Sequence, residues 1–393
     1  MTVAWFSFFP IEWLPGIGEP WRSLPRQHPA TWQRVLLAEF ENIPSLRLHI
    51  IVLRKEFERD ATFERNGVVF HLIKTRGGLR APSLFWHDTL LIKPVLKRIQ
   101  PDVVHAWGTE KGAALVAARL GYPAVVTVQG LMTWMAELFP LTLGERVTAV
   151  LERLSLGRAR VTTGESTFSS GYVRRRYPGA DVRHIDMAPD PLFAQVIRQP
   201  QTSTVRLLFI GGLGPRKGGD TLLLALEQLR REISFELVVI GEGEAGFLER
   251  MKAATSAELW SRLRFKNHLT SEQVAQELAV ATLMVCPTRA DTGPLAVKEA
   301  VMAGVPVVAS AIGGVPDYVE PGENGLLFAP GDVTQCAEAL RAACRHPLFG
   351  RGLVEPSVLV QKRAALSAAR MGRSFFEAYQ DVCGQREQAG TTK

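Results

Sequence analysis

Cysteine is scarce in this chain. Four occur among 393 residues, at positions 286, 336, 344 and 383. No two stand in a C-x-x-C pair, which excludes a disulfide framework and a zinc ribbon and suits a reducing compartment. Cys286 closes the apolar run ATLMVC and reads as a core thiol. No apolar run approaches the ~18–20 residues needed to cross a bilayer. The N-terminus, MTVAWFSFFP, lacks a basic leader and a cleavage site, so a first strand is expected there and not a signal peptide. There is no Asp-x-Asp triplet and no His/Asp cluster at metal-ligand spacing, so no metal is expected. Repeats of solenoid type and motifs of nucleic-acid readers are also missing.

The net charge is +7 and the pI about 9.4, yet no lysine-rich tail carries the excess. Besides ordinary solvation, such a surface suits phosphates: nucleotides or anionic lipid headgroups. Two basic stretches with aromatics, LRAPSLFWHDTLLIKPVLKRIQ and YVRRRYP, are candidates for weak contact with an anionic membrane. Pro94 argues against one continuous helix in the first.

What the chain does contain is a rhythm. In the second half, runs of strand length (VRLLFI, FELVVI, TLMVC, VPVVAS) alternate with helical spacing (TLLLALEQLRRE, TSEQVAQELAVA). Fully apolar strands between helices imply a parallel sheet covered on both faces. The first half repeats this more loosely in VAWFSFF, LRLHIIVL, GVVFHLI, DVVHAW, PAVVTV, RVTT and VRHID. A polar, aperiodic stretch, RQPQTST, separates the halves. The expected organisation is two doubly wound domains, 1–198 and 203–356, then a C-terminal helix over 357–384 and a polar tail over 385–393. Ligands of such sheets bind beyond the carboxyl ends of the strands.

Three loops there carry chemistry. FIGGLGPRKGGD, residues 209–220, leads a strand through glycines and the cations Arg216 and Lys217 into a helix, a setting for an anion. It lacks the Gly-Lys-Ser/Thr of a P-loop. VVIGEGEAG matches G-x-G-x-x-G, but Glu242 and Glu244 would repel a pyrophosphate. It reads as a second turn beside the ligand, with Glu242 at its edge. TRADTGPLAVKEAVMAGVPVVAS, residues 288–310, places Asp291 before a helix and Glu299 inside it. Pro294 suits the first helical position and Gly304 the end. Glu299 then lies ~7–8 Å along the axis, and Asp291 up to ~10 Å before it if the chain is extended. That spacing suits the two ends of one elongated ligand with an anionic middle.

The segment PTRADTGPLAVKEAVMAGVPVVASAIGGVPDYVEPGENGLLFAPGD resembles the donor-site segment of family 4 retaining glycosyltransferases, whose fold is GT-B. The likeness extends through GLGPRKGGDTLLLAL, VIGEGE and RLRFKNHLTSEQVAQEL, and more faintly through PDVVHAWGTEKGAALVAARLGYPAVVTVQG. It implies two Rossmann-like domains facing across a cleft, with the C-terminal helix packed back on the first. It implies transfer of a sugar from a nucleotide-sugar to a saccharide or lipid-linked acceptor, with retention, in cell-surface polysaccharide or glycoconjugate synthesis. The setting would be cytoplasmic, peripheral on the inner face of the membrane, with no metal or other cofactor. Glu299 would hold the donor ribose and Lys217 the diphosphate. Gly293, Pro294 and Leu295 would line the sugar and phosphate, with Gly313 and Gly314 nearby.

Three positions depart from the family pattern. Asp291 stands where Glu is usual, Gly212 where an Arg is usual, and Gln129 where a His follows the strand PAVVT. Arg216 must then supply the missing cation, and Gln129 can bond a sugar but cannot act as a general base. His105, after PDVV, is a second catalytic candidate, with a core histidine as the alternative. Gly16 and Gly18 in the loop PIEWLPGIGEPWRSLPRQHP, and Glu110 in GTE, are assigned to the acceptor side. Two alternatives stay open: a silent nucleotide-binding member, and a nucleotide-sugar hydrolase or epimerase of the same fold.

Overall fold

The computed structural model describes the chain except for Gln27, Pro29, Glu110, residues 201–203 and 391–393, and the side chains of 385–390. It separates into two compact units, Met1–Met187 with Ala368–Lys393, and Ala188–Ser367.

Unit 1 contains strands β1 (Thr2–Phe6), β2 (Arg47–Arg54), β3 (Ala61–Arg65), β4 (Val68–Lys74), β5 (Val103–Trp107), β6 (Ala124–Val128), β7 (Val161–Gly164) and β8 (Asp181–His184). Its helices are α1 (Thr31–Phe40), α2 (Trp86–Ile99), α3 (Ala113–Leu120), α4 (Met132–Leu138), α5 (Leu143–Leu156) and α6 (Thr167–Arg176). The strand order is β3-β4-β2-β1-β5-β6-β7-β8, parallel except for β3. Strand β3 was not expected. Its signal is Asn66-Gly67, whose φ values of 48° and 75° make the tight hairpin turn into β4. Helix α2 runs unbroken through Pro94, contrary to expectation. The proline lies on the exposed side, where water can take the carbonyl it leaves without an amide.

Unit 2 contains β9 (Val205–Ile210), β10 (Phe235–Ile240), β11 (Leu263–Lys266), β12 (Leu283–Cys286), β13 (Val307–Ser310) and β14 (Gly325–Phe328). Its helices are α7 (Gly219–Leu229), α8 (Ala245–Ala254), α9 (Ala257–Ser261), α10 (Ser271–Val280), α11 (Leu295–Ala303), α12 (Val333–Arg345) and α13 (Pro356–Ala365). The order is β11-β10-β9-β12-β13-β14, all parallel. The apolar strands bury on both faces, one against Leu222, Leu226 and Phe349, the other against Val297, Val301 and Tyr318.

The division between units falls before the polar segment 198–204 and not within it. Arg198 is the reason. Its buried guanidinium donates to the carbonyls of Leu278, Ala281 and Gly352, and burial lowers its pKa to about 10. The stretch from Ala188 is thereby fixed to unit 2.

The expected single C-terminal helix is two. Helix α13 stays with unit 2 through Lys362–Glu320 at 2.6 Å and Arg363–Met302 O at 2.8 Å. Leu366 is buried in that core, and α14 (Ala368–Gly390) then belongs to unit 1 and continues through most of the expected tail. Its anchor is Tyr379. The hydroxyl accepts from Trp5 Nε1 at 3.1 Å and meets His105 Nδ1 at 2.5 Å. His105 Nε2 meets Thr127 Oγ1 at 2.6 Å, which meets Thr163 Oγ1 at 2.7 Å. A buried hydrogen-bonded chain thus joins α14 to β1, β5, β6 and β7. Removing the hydroxyl leaves Trp5 Nε1 and His105 Nδ1 without this partner in a buried core. Tyr379→Phe is expected to cost about 1–3 kcal/mol of stability, read by urea denaturation; an unchanged midpoint would show that the chain is not what holds α14.

Candidate functional site

In unit 2 the strand order reverses direction between β9 and β12, because β10 and β11 build outward on one side and β13 and β14 on the other. Loops leaving the two adjacent strands diverge there and leave a crevice. The loop after β9 and the loop after β12 meet at that point. Gly218 has φ 69°, and a Cβ on it would lie 1.9 Å from the Pro287 carbonyl oxygen, so only glycine permits the approach. Arg289 N donates to Arg216 O at 2.9 Å. The Arg289 guanidinium grips both carboxylate oxygens of Asp220 at 2.6 and 2.8 Å, clamping the β12 loop to the start of α7.

This approach brings Lys217 Nζ to 2.5 Å from Asp291 Oδ2. Arg216, exposed, donates to Ala290 O at 3.2 Å. The backbone bends at Thr292 and Gly293 and is not extended. Gly314 N donates to Asp291 O at 3.1 Å, and Ser310 Oγ donates to the Thr288 carbonyl, tying in the Gly313–Gly314 turn. Pro294 is the N-cap and not the first helical residue, so α11 starts at Leu295, and Gly304 closes it with φ 76°. Glu299 lies on the second turn. Burial, and after it repulsion by Asp190, pushes its carboxyl up to about 8. Asp190 is held by Leu192 N at 3.0 Å, a partner that sequence reasoning missed.

Two donor-side candidates sit differently from expectation. The Glu242 carboxylate is turned to solvent beside His268 at 3.4 Å; its backbone carbonyl braces the loop by accepting from Leu213 N at 2.9 Å. Gly212 is exposed, with room for a Cβ 3.8 Å from Glu242 O, so no backbone constraint demands glycine there.

In unit 1, His105 is a core residue and not a catalytic one. It is fully buried with both ring nitrogens engaged, and burial depresses its pKa well below the usual range. Gln129 follows β6, partly exposed. Glu110 lies outside the described residues. Gly16 and Gly18 sit in an open loop with free space around both α-carbons. That loop is tied down by Glu12–Arg54, a buried pair at 2.6 Å, and by Arg54–Pro25 O at 2.7 Å. The sheet of unit 1 reverses between β1 and β5, where Lys111 Nζ sits 3.8 Å over the Phe8 ring. Glu152 on α5 was missed. It is fully buried and accepts from Thr109 Oγ1, Met132 N, and Thr133 N and Oγ1, so one carboxylate fixes the loops after β5 and β6. Its signal was a charge on the apolar face of a helix, beside Leu151, Ser155 and Leu156.

A cation, a carboxylate and a helix N-terminus at one switch point suit an anionic ligand with polar ends. The sequence model described as Glycosyl transferases group 1 matches residues 204–346, and that described as Glycosyltransferase Family 4 matches residues 40–189. The chain belongs to family 4 of the glycosyltransferases. It is 28% identical over 290 residues to glycogen synthase of Mycobacterium tuberculosis, covering 70% of this glycosyltransferase and 66% of that protein. It is 29% identical over 270 residues to D-inositol 3-phosphate glycosyltransferase 1 of Catenulispora acidiphila, covering 63% and 64%. The match thus spans just under two thirds of either relative. Sucrose-phosphate synthase of Thermosynechococcus elongatus superposes with TM-score 0.80 at 17% identity, over 98% of this chain and 99% of that one, which establishes the GT-B fold. No described helix is long and apolar enough to cross a membrane.

The raised Glu299 pKa gives the glycosyltransferase a pH signature. An unfolded Glu titrates near ~4.3, and the folded group titrates at about 8. The native state therefore holds the extra proton between those values. The stabilising contribution of the protonated group is complete below the lower value and is lost as pH rises through the upper one. The thermal midpoint of the ligand-free protein should fall between about pH 5 and pH 8 and level off above, and Glu299→Gln should flatten that part of the profile. A wild-type curve that the substitution leaves unaltered would refute the assignment.

Proposed function

We propose that this glycosyltransferase, a cytoplasmic enzyme, transfers a sugar from a nucleotide-sugar bound by unit 2 to a saccharide or lipid-linked acceptor bound by unit 1. The transfer proceeds with retention and serves synthesis of cell-surface polysaccharide or glycoconjugate. The observation that carries the reading is the Lys217–Asp291 pair at the N-terminus of α11, with Glu299 one turn further in.

Donor binding rearranges the charges of that pair. The diphosphate takes Lys217 and the amides at the start of α11, which frees the Asp291 carboxylate to face the sugar. As the sugar–phosphate bond breaks, negative charge collects on the departing diphosphate and positive charge on the sugar. Fixed cations and dipoles favour that separation. The ribose hydroxyls donate to Glu299, which must shed its proton to accept from both. The switch point of unit 1, with Lys111 and Phe8, supports acceptor binding there. The relatives, one a glycogen synthase and one a D-inositol 3-phosphate glycosyltransferase, support a hydroxylated acceptor.

Because Lys217, Arg216 and the helix amides meet the diphosphate charge, transfer should not need a divalent cation. Turnover is expected to persist in EDTA; complete loss, restored by magnesium or manganese, would overturn this part of the reading.

The two acids should fail differently. Glu299→Gln weakens free nucleotide and nucleotide-sugar alike, by about 1.5–3 kcal/mol for a charge-assisted contact. It also abolishes proton release on binding near pH 7, seen by calorimetry in buffers of different ionisation enthalpy. Asp291→Asn leaves free nucleotide binding at least as tight, since Lys217 loses its competing partner, but lowers the single-turnover rate. Loss of nucleotide affinity in Asp291→Asn as severe as in Glu299→Gln would sink the assignment.

A further inference from the structure

Loops that follow β1, β4 and β5 meet at the switch point of unit 1. A narrow crevice opens there, and its lining includes Ser7, Phe8, Arg80, Asp88 and Lys111. Two cations share the Phe8 ring. Lys111 Nζ lies 3.8 Å from the ring centroid, and the central guanidinium carbon of Arg80 lies 5.4 Å from it. An aromatic face attracts a cation, but a second cation beside the first is a like charge.

Each cation is placed by its own element. Asp88, in the first turn of α2 and 3% exposed, accepts from Arg80 Nε and Nη2 at 2.9 and 2.8 Å. Those bonds use one edge of the guanidinium fork, so Nη1 is turned away from Asp88. Lys111 stands just before Gly112, whose φ is 80° and whose added Cβ would lie 2.2 Å from the Phe85 ring. That close packing of the start of α3 on the start of α2 fixes where Lys111 emerges into solvent.

The start of α1 is a third contributor. Ser7 Oγ donates to Gln33 Oε1 and so ties the crevice to the first turn of this helix. That turn has no side-chain cap, and the buried hydroxyl of Thr31 has no partner among the described residues. His28, just ahead of α1, has its pKa lowered by burial and then by the charge of Lys111, so Lys111 and the start of α1 are neighbours.

We propose that the acceptor carries a phosphoryl group, held over Phe8 by Lys111, the Nη1 edge of Arg80 and the start of α1, an inference that rests on unit 1 being the acceptor side. The charged lining consists of two cations and one acid, and the acid is already bonded to Arg80. The surplus is positive. A phosphoryl group suits it because three outer oxygens can accept from an ammonium, a guanidinium edge and helix amides together. A neutral saccharide offers that charge nothing. Arg80 lies in a stretch that the sequence suggested for membrane contact, whereas the structure bonds it to buried Asp88.

The test reads binding apart from transfer. The full chain carrying Lys217→Ala, which removes the cation assigned to the donor diphosphate, is titrated by calorimetry with glucose 6-phosphate, glucose and farnesyl phosphate. At least one phosphate should bind about tenfold more tightly than glucose, the scale of one charge-assisted contact. Lys111→Ala should remove that preference with an unchanged thermal midpoint, and Lys111→Arg should restore most of it, which a merely structural role would not require. Binding of glucose 6-phosphate alone supports the site with a sugar phosphate as acceptor, and binding of farnesyl phosphate alone supports it with a lipid carrier. Equal affinity for glucose and both phosphates, or a preference that Lys111→Ala leaves intact, would overturn the proposal. A Lys111-dependent preference in a protein whose wild type binds no nucleotide-sugar would support the site and overturn the transfer reading.

Discussion

The approach of the Gly218 backbone to the Pro287 carbonyl governs the switch point of unit 2. A side chain there would collide with a backbone atom that cannot move without dragging β12 out of the sheet. With glycine, the end of one strand loop and the start of the next share a wall. Everything chemical at the switch point is then local consequence: Arg289 reaches Asp220, Arg216 reaches Ala290, and Lys217 reaches Asp291. The cation is pre-placed by backbone packing before any ligand arrives. Its partner is the Asp291 carboxylate. Pre-placement of this kind spares the cost of ordering a long side chain at the moment of binding.

The two acids that bracket α11 begin from opposite states. Asp291 is already compensated by a cation at hydrogen-bonding distance. For Glu299 burial dominates, and Asp190 adds repulsion. One carboxylate is therefore paired with a cation from the start, and the other has its pKa raised to about 8. A group poised in that way responds to hydroxyl donors, which favour its charged form. Recognition of the ribose by Glu299 would couple to proton release, whereas recognition of the sugar by Asp291 would couple to the displacement of Lys217. The sequence distinguishes these roles only by position, and burial supplies the difference.

Much of the architecture was legible because apolar strands announce themselves. Eleven of the runs read as strands lie within or overlap β1, β2, β4 to β10, β12 and β13. The short β11 and β14 were not read as strands, being four residues each and partly polar or exposed. Strand β3 was missed although Asn66-Gly67 marks its turn. The loops that hold Lys217 and Asp291 stood out in the sequence because they follow strands and carry glycine, and Glu299 because of its place in the segment that resembles the family. What the sequence hid were long-range polar partners: Arg289 with Asp220, Glu12 with Arg54, and Glu152 with Thr109 and Thr133. None has a local spacing rule, because each joins elements far apart along the chain.

His105 shows how far residue type alone can mislead. A histidine at the end of a strand in such a fold lies where ligands bind, and its ordinary titration range invites a catalytic role. Here α14 packs against β5 and β6, and Tyr379 takes the ring nitrogen that a substrate would need. Desolvation keeps the imidazole neutral, so one nitrogen donates and the other accepts. A neutral ring with two fixed neighbours is a connector in a polar chain that starts at Trp5 and ends at Thr163. Such a chain rewards a single registry of α14 on unit 1, because a slip would leave several buried polar groups unsatisfied at once. The same logic applies to Glu152, a charged residue whose four donors settle two loops. In unit 1 the buried polar groups thus fix the geometry of the loops that they hold.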